Sequence, residues 1–295
     1  MRLIKILLLL IIFFSCKAQP KQTKLVINKN DNSLLWEISG NGLAQPSYLF
    51  GTFHLMCKDD IYFSKQLKTA VTQVDKVYME MDMDDPATMM GGLLFMNMKD
   101  GKTLEQLYTP EEYKKVKNFF ADSLHMPISF LQAMKPMLLE ALLYPKLMPC
   151  KTVSGVEEEL MKIVKLEEKE IKGLETMEFQ ASVFDSIPYS EQAKELLNAI
   201  DSMATNKAMF DTMMNVYKSQ KLNEIETLFN KSEFGVKDHQ DILLNNRNKN
   251  WVKQLKIITR TTSVFVAVGA GHLVGKEGLI ALLRKEGYTV KPLQN

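Results

Sequence analysis

The chain has 295 residues, 46% of them hydrophobic, with 37 basic and 35 acidic side chains and a formal net charge of +2. That length and apolar fraction supply one sizeable core and exclude a low-complexity or disordered chain. Setting aside Arg2 and Lys5, which belong to a leader-like segment, leaves 35 of each sign, so no electrostatic footprint for nucleic acid or a basic membrane-binding surface is expected.

In chain order, Arg2 and Lys5 precede an unbroken apolar run from Ile6 to Phe14, followed by Ser15-Cys16-Lys17-Ala18-Gln19. This is the layout of a secretory signal over residues 1–19. The run is nine residues long, too short for a spanning helix, which needs ~20. Cys16 occupies the place of the acylated cysteine in a lipoprotein signal, and plain cleavage near Ala18-Gln19 is the alternative. The expected location is the cell envelope, lipid-anchored or periplasmic, with membrane contact only through Cys16. In that oxidising compartment Cys57 and Cys150 are an even pair, either a disulfide or two separate thiols.

Residues 20–33 read as a tether containing a short strand, Lys24–Ile27, ahead of a domain over 34–295. Leu34–Ile38 and Tyr48–Phe50 read as strands around the turn at Asn41-Gly42, the second ending at Gly51. Ile61–Val74 has helical spacing, and Lys76–Met83 alternates like a strand. Helical insertions are expected near 85–150 and 180–240. Their many methionines serve to fill core. Glu170–Leu174 is a strand, 237–259 a helix, and Val264–Val268 a buried strand. Leu273–Lys285 reads as the last helix before a strand near Tyr288–Val290. Strand, helix, strand at both ends predicts an α/β fold: a central mostly parallel or mixed sheet flanked by helices, with large helical insertions.

Two of the four histidines share one local pattern. Gly51-Thr52-Phe53-His54 and Gly269-Ala270-Gly271-His272 each follow a strand. A glycine there allows a sharp turn and close backbone approach, so Gly51, Gly269 and Gly271 support the histidines. His54 and His272 then fall at the carboxyl edge of the sheet, where ligands bind in open α/β sheets. A following helix N-terminus would keep both rings neutral, fit for a metal or for base chemistry. Glu80 and Glu175 end two further strands. Two histidines with Glu80 form a donor set for a divalent metal such as Zn, Mn or Co. Arg247 lies in the apolar stripe of the 237–259 helix, where an arginine must be paired; facing the sheet, it could meet a site carboxylate or a developing oxyanion. Ser154-x-x-Glu157 has the spacing of a helix capping box, a structural role. HExxH, GxSxG, GxxxxGK[ST] and CxxC patterns are all missing.

Gly51-Thr52-Phe53-His54-Leu55, the Glu80 strand, Gly155-Val156-Glu157, Leu174-Glu175-Thr176 with Gln180, Arg247-Asn248, and Gly269-Ala270-Gly271-His272 with Leu273-Val274-Gly275 resemble the TraB/GumN family. The matches run in family order from about residue 34 to the C-terminus. The resemblance implies an erythromycin-esterase/ChaN-like α/β fold and, from the Tiki members, metal-dependent peptidase chemistry. It places His54, His272 and Glu80 at the site core, with Arg247 and Asn248 as polar support; Glu80 then either holds the ion with the two histidines or acts as general base toward a metal-activated water. Where the family more often has Asp, this chain has Glu157, which fits the capping role. A peptide or small-molecule substrate is expected. A non-catalytic protein sequestering a peptide, haem or iron in the same cleft is the alternative.

Overall fold

A computed structural model of the chain describes residues 32–231 and 237–295. The leader-like segment 1–19, Cys16 and the strand expected at Lys24–Ile27 lie outside the described residues.

Among the described residues the apolar runs form eight strands: β1 (Leu35–Ser39), β2 (Ser47–Thr52), β3 (Met56–Cys57), β4 (Lys76–Met81), β5 (Val153–Ser154), β6 (Glu170–Glu175), β7 (Val264–Gly269) and β8 (Thr289–Leu293). Six of them form one mixed sheet in the order β6-β4-β7-β2-β1-β8, and β3 pairs with β5 separately. The inner run β6-β4-β7-β2 is parallel, while β1 is antiparallel to both β2 and β8. β7 has five consecutive buried residues from Val264 to Val268, as a strand covered on both faces must. Its register sets Val268 beside Gly51 and Gly269 beside Thr52, which brings the two glycine-histidine segments to one sheet edge.

Several sequence expectations change at element ends. The last helix spans only Leu279–Lys285. Gly275 before it has φ +85°, and a side chain at Gly278 would meet the Val274 carbonyl at 2.1 Å, so the backbone turns where a helix was expected. The 237–259 segment is broken, with a π-helical turn, Asp241–Asn245, ahead of the helix Asn246–Ile258. β4 stops at Met81 rather than Met83.

The sheet and its covering helices share one apolar core around Leu35, Phe50, Val77, Trp251 and Phe265. A second cluster, with Leu104, Val116, Phe120, Leu139 and Leu196, is built mainly from helical segments on either side of β5 and β6. A third joins Cys57, Leu147, Met148, Phe210 and Met214. Cys57 and Cys150 form a disulfide, with Cα atoms 5.8 Å apart.

One buried carboxyl in the helical region gives a pH prediction. Burial, reinforced by the charge of Glu195, pushes Glu140 up to about 7, with only a long Tyr144 hydrogen bond opposing. A folded-state pKa above the unfolded one makes folding take up a proton. The associated stability is full below about 4.5 and is lost as pH rises through about 7. Glu140→Gln is expected to match the parent chain in urea unfolding near pH 4.5. Near pH 8 it should exceed the parent by up to about 3 kcal/mol, following ~1.4 kcal/mol per pKa unit. Equal stability of the two chains near pH 8 would refute this.

Candidate active site

The carboxyl edge of the parallel strands opens into a cavity of about 340 Å³, within the ~300–1,000 Å³ usual for ligand pockets. Its floor carries His54, Glu80, Gln180, Arg247 and His272 together with backbone from Gly269 to Gly271. Its walls are apolar and aromatic, including Phe53, Tyr144, Phe184, Phe210, Met213 and Tyr217.

His54 follows β2, and its side chain is 77% exposed, toward the cavity. Its Nδ1 lies 2.8 Å from Glu157 Oε1. A carboxylate only accepts, so Nδ1 carries the proton and Nε2 is left for the cavity. The same Oε1 accepts from Thr52 Oγ1 at 2.6 Å. Burial opposes the Glu157 charge, but the hydrogen bonds from His54 and Thr52 hold its carboxyl below the usual range. In return the Glu157 hydrogen bond raises His54 to about 9, outweighing the desolvation of a ring that is water-accessible but enclosed by the cavity walls.

His272 is buried in the short 3₁₀ turn Ala270–His272. Asn248 Nδ2 donates to the Glu277 carbonyl at 2.8 Å, which leaves its Oδ1 to accept from His272 Nδ1 at 2.7 Å. The ring packs 4.4 Å from Trp251 between centroids. Burial lowers its pKa to about 3, despite the nearby Glu80 charge. The rings therefore differ, contrary to the expectation that both stay neutral on helix N-termini. No long helix starts behind either: β3 follows His54, and the helix beyond His272 begins at Leu279. Burial outweighs the nearby Glu80 charge and keeps His272 neutral, whereas a directly bonded carboxylate charges His54.

Between the histidines runs a network of paired charges. Arg247 donates through Nε to both oxygens of Glu175 at 3.0 Å, and through Nη2 to Glu175 and to Glu80 at 2.7 Å each. Its Nη1 reaches the Leu243 carbonyl at 3.0 Å and His272 Nε2 at 3.4 Å. The guanidinium lies over Trp251, whose Nε1 donates to Glu175. Glu80 Oε1 accepts the Gly269 N–H at 2.9 Å, and Oε2 also accepts from Gln180. Burial works against the Glu80 charge, yet its neighbours His272, Arg247 and His54 and the Gly269 N–H hold it at about 2. With His272 itself neutral, Arg247 and the charged His54 are the lasting cations of that group.

Six sequence expectations meet this geometry. His54, His272, Glu80 and Arg247 line one cavity. Glu175, at its strand end, is buried and pairs with Arg247 at 2.7 Å. Arg247 has all five N–H groups engaged within the protein, which leaves none for an oxyanion; it is a positioning residue. Asn248 fixes the His272 tautomer. Glu157 does not cap its helix: Gly155 is the N-cap, and Ser154 Oγ donates to Glu158 and Glu159 instead. Its real partner, His54, lies 103 residues away in the chain. The Gly155-Val156-Glu157 block was the sequence signal that pointed to it. Two of the glycines are points of close approach: a side chain on Gly51 would press on Ala270 and Leu273 at 3.1 Å, and one on Gly269 on Glu80 Oε1 at 3.3 Å.

The metal expectation is met in part. Both histidines donate Nδ1–H to an acceptor and turn Nε2 inward, the arrangement typical of metal-bound imidazoles. His272 Nε2 and Glu80 Oε1 are 3.7 Å apart, near the ~3.4 Å expected between two ligands of one tetrahedral ion with bonds of ~2.0–2.2 Å. However, no group of three or more His, Cys, Asp or Glu that could hold a metal is assembled among the described residues. The donors fit in kind, and His272 and Glu80 stand as a pair with Arg247 against both, while His54 shares the cavity without being assembled with them into one group.

Fold and site together define an α/β protein with a paired-histidine pocket at the carboxyl edge of a mixed sheet. A family model for the TraB/PrgY/gumN family matches residues 34–292, and the chain belongs to that family. It is 22% identical over 322 aligned positions to Metalloprotease TIKI2 of Danio rerio, covering 91% of this chain and 62% of that protein. It is 31% identical over 104 positions to Metalloprotease TIKI1 of Xenopus tropicalis, covering 35% of this chain and 19% of that protein. The chain thus spans less than two thirds of either relative. No solved structure matches it significantly.

Proposed function

We propose that this cavity is the active site of a metal-dependent hydrolase that cuts peptides. The observation that carries the reading is the matched orientation of His54 and His272, each with Nδ1 satisfied by a fixed acceptor and Nε2 facing one cavity beside Glu80. The names of the two relatives point the same way. His54, once its Nε2 proton is released, would hold a divalent ion such as Zn, Mn or Co together with His272 and Glu80; such an ion would supply polarisation of a carbonyl and acidification of a water. Arg247 and Glu175 hold Glu80 in place. Thr52 and Glu157 set the His54 ring. The apolar walls take a side chain of the substrate and exclude water around the scissile bond.

The second reading, a non-catalytic binder of a peptide, haem or iron, is favoured by the saturation of Glu80 by Arg247, Gln180 and Gly269. Metal analysis of the purified protein with a peptide-library cleavage assay separates the two. The hydrolase predicts stoichiometric divalent metal and cleavage lost on His54→Ala. It also predicts a roughly 10–100-fold weaker metal affinity in Glu157→Gln, as for other partners of metal-bound histidines. Metal-free protein that binds peptides without cutting them would establish the binder.

No helix among the described residues is long and apolar enough to cross a membrane. We infer export to the cell envelope, supported by the leader-like segment 1–19 and by the Cys57–Cys150 disulfide, a bond that persists in oxidising compartments.

A further inference from the structure

The helix Pro86–Phe95 has the sequence PATMMGGLLF, with no charged residue in ten positions. Gly92 faces the neighbouring helix Met177–Asp185: a side chain there would meet Met177 at 2.7 Å. The close approach on that side turns the opposite face outward. Met90 and Leu94, one helical turn apart, are 75% and 78% exposed, and nothing on the described chain covers them.

This helix lies at the carboxyl edge of the sheet. It starts five residues beyond the end of β4, and Gly91 and Phe95 border a groove with the end of β6, from Lys172 to Glu175. The N-terminal end of β1 meets the same edge, because β1 is antiparallel to β2 and the Gly51 N–H bonds the Leu34 carbonyl. The chain therefore enters the domain on the face that carries both the pocket and the apolar helix. Fifteen residues separate Cys16 from Asn32, a reach of at most about 50 Å when extended. The helix and the β1 entry point are a few strand spacings apart, each ~4.8 Å. An anchor at Cys16 would hold this edge against a lipid surface.

We propose that Met90 and Leu94 dip into the headgroup region of a bilayer, so that the pocket edge faces the membrane. Two side chains offer too little area for a stable pairing with a second copy, which buries ~1,200–2,000 Å². Shallow insertion of an apolar helical face beside a lipid anchor needs only a small contact, since stable attachment rests on two weak signals together. Asp82, Asp84 and Asp85 precede the helix, so zwitterionic rather than anionic headgroups are the matching chemistry.

The test uses residues 17–295, which keep every described residue, tethered by an N-terminal His tag to phosphatidylcholine vesicles carrying a nickel-chelating lipid. With Cys57 and Cys150 bonded, Leu94→Cys offers a single free thiol for a nitrobenzoxadiazole label. Tethering should raise its emission severalfold with a blue shift, and added phosphatidylglycerol should not strengthen the effect. A label at Ile257→Cys, 71% exposed near the far end of the helix Asn246–Ile258, should stay in water. An unchanged signal at position 94 overturns the proposal. So does an equal change at 257, which would mean non-specific adsorption. A concentration-dependent rise without vesicles also overturns it, by showing that a second copy covers the face.

Discussion

Arg247→Ala is expected to destabilise the fold by about 3–5 kcal/mol, the range for breaking a buried ion pair from one side, and to end any chemistry in the cavity. The side chain is the one cation bonded to both Glu80 and Glu175, and it also contacts His272 and the Leu243 carbonyl. Without it two buried carboxylates face each other unpaired, and one must take up a proton or water must enter. Arg247→Lys should rescue little, because a single ammonium cannot copy the forked contacts to two carboxylates. Urea unfolding of both variants measures the cost. Adding Glu175→Gln to Arg247→Ala should recover part of the loss, since the pair is coupled. Strict additivity of the two substitutions would show that the charges act independently and would sink this account of the site.

Removal of the disulfide is the second large effect. Cys57 and Cys150 are 93 residues apart, and loop-closure entropy for ~100 residues gives up to about 4.7 kcal/mol, with ~2–5 usual for a native bridge. The position of the bond adds a local consequence. It ties the segment just beyond His54 to the one leading into Glu157, where β3 pairs with β5 and the Val156 N–H bonds the Phe53 carbonyl. Cys57→Ser with Cys150→Ser should therefore lower the urea midpoint. At a temperature where that variant remains folded, it should also weaken ligand or metal binding more than Glu140→Gln does. A variant that is less stable but binds unchanged would confine the disulfide to a purely structural role.

Much of the site was legible because its residues sit next to strong local signals. A glycine after an apolar strand, followed three residues on by histidine, identifies a strand end without any knowledge of the partner strands, and both such blocks lie in the cavity. Arg247 was readable because an arginine in an apolar helical stripe must have a partner. Glu157 was misread because Ser154-x-x-Glu157 has capping-box spacing, and local spacing says nothing of a histidine brought in from another strand. The cavity walls were invisible for a different reason. Phe184, Phe210 and Met213 repeat at the same helical spacing as core residues, and periodicity does not distinguish a side chain that faces another helix from one that faces a void.

The sequence by itself determined the α/β architecture and the sheet edge on which the two histidines fall, since strand periodicity and the glycines after each strand are local properties of the chain. Only the tertiary structure decided the protonation of the rings. Burial with Asn248 as acceptor makes His272 neutral, while a direct bond to Glu157 charges His54. It also decided that Arg247 braces Glu80 and Glu175 rather than reaching for substrate, because the number of donors left over depends on every group packed around it.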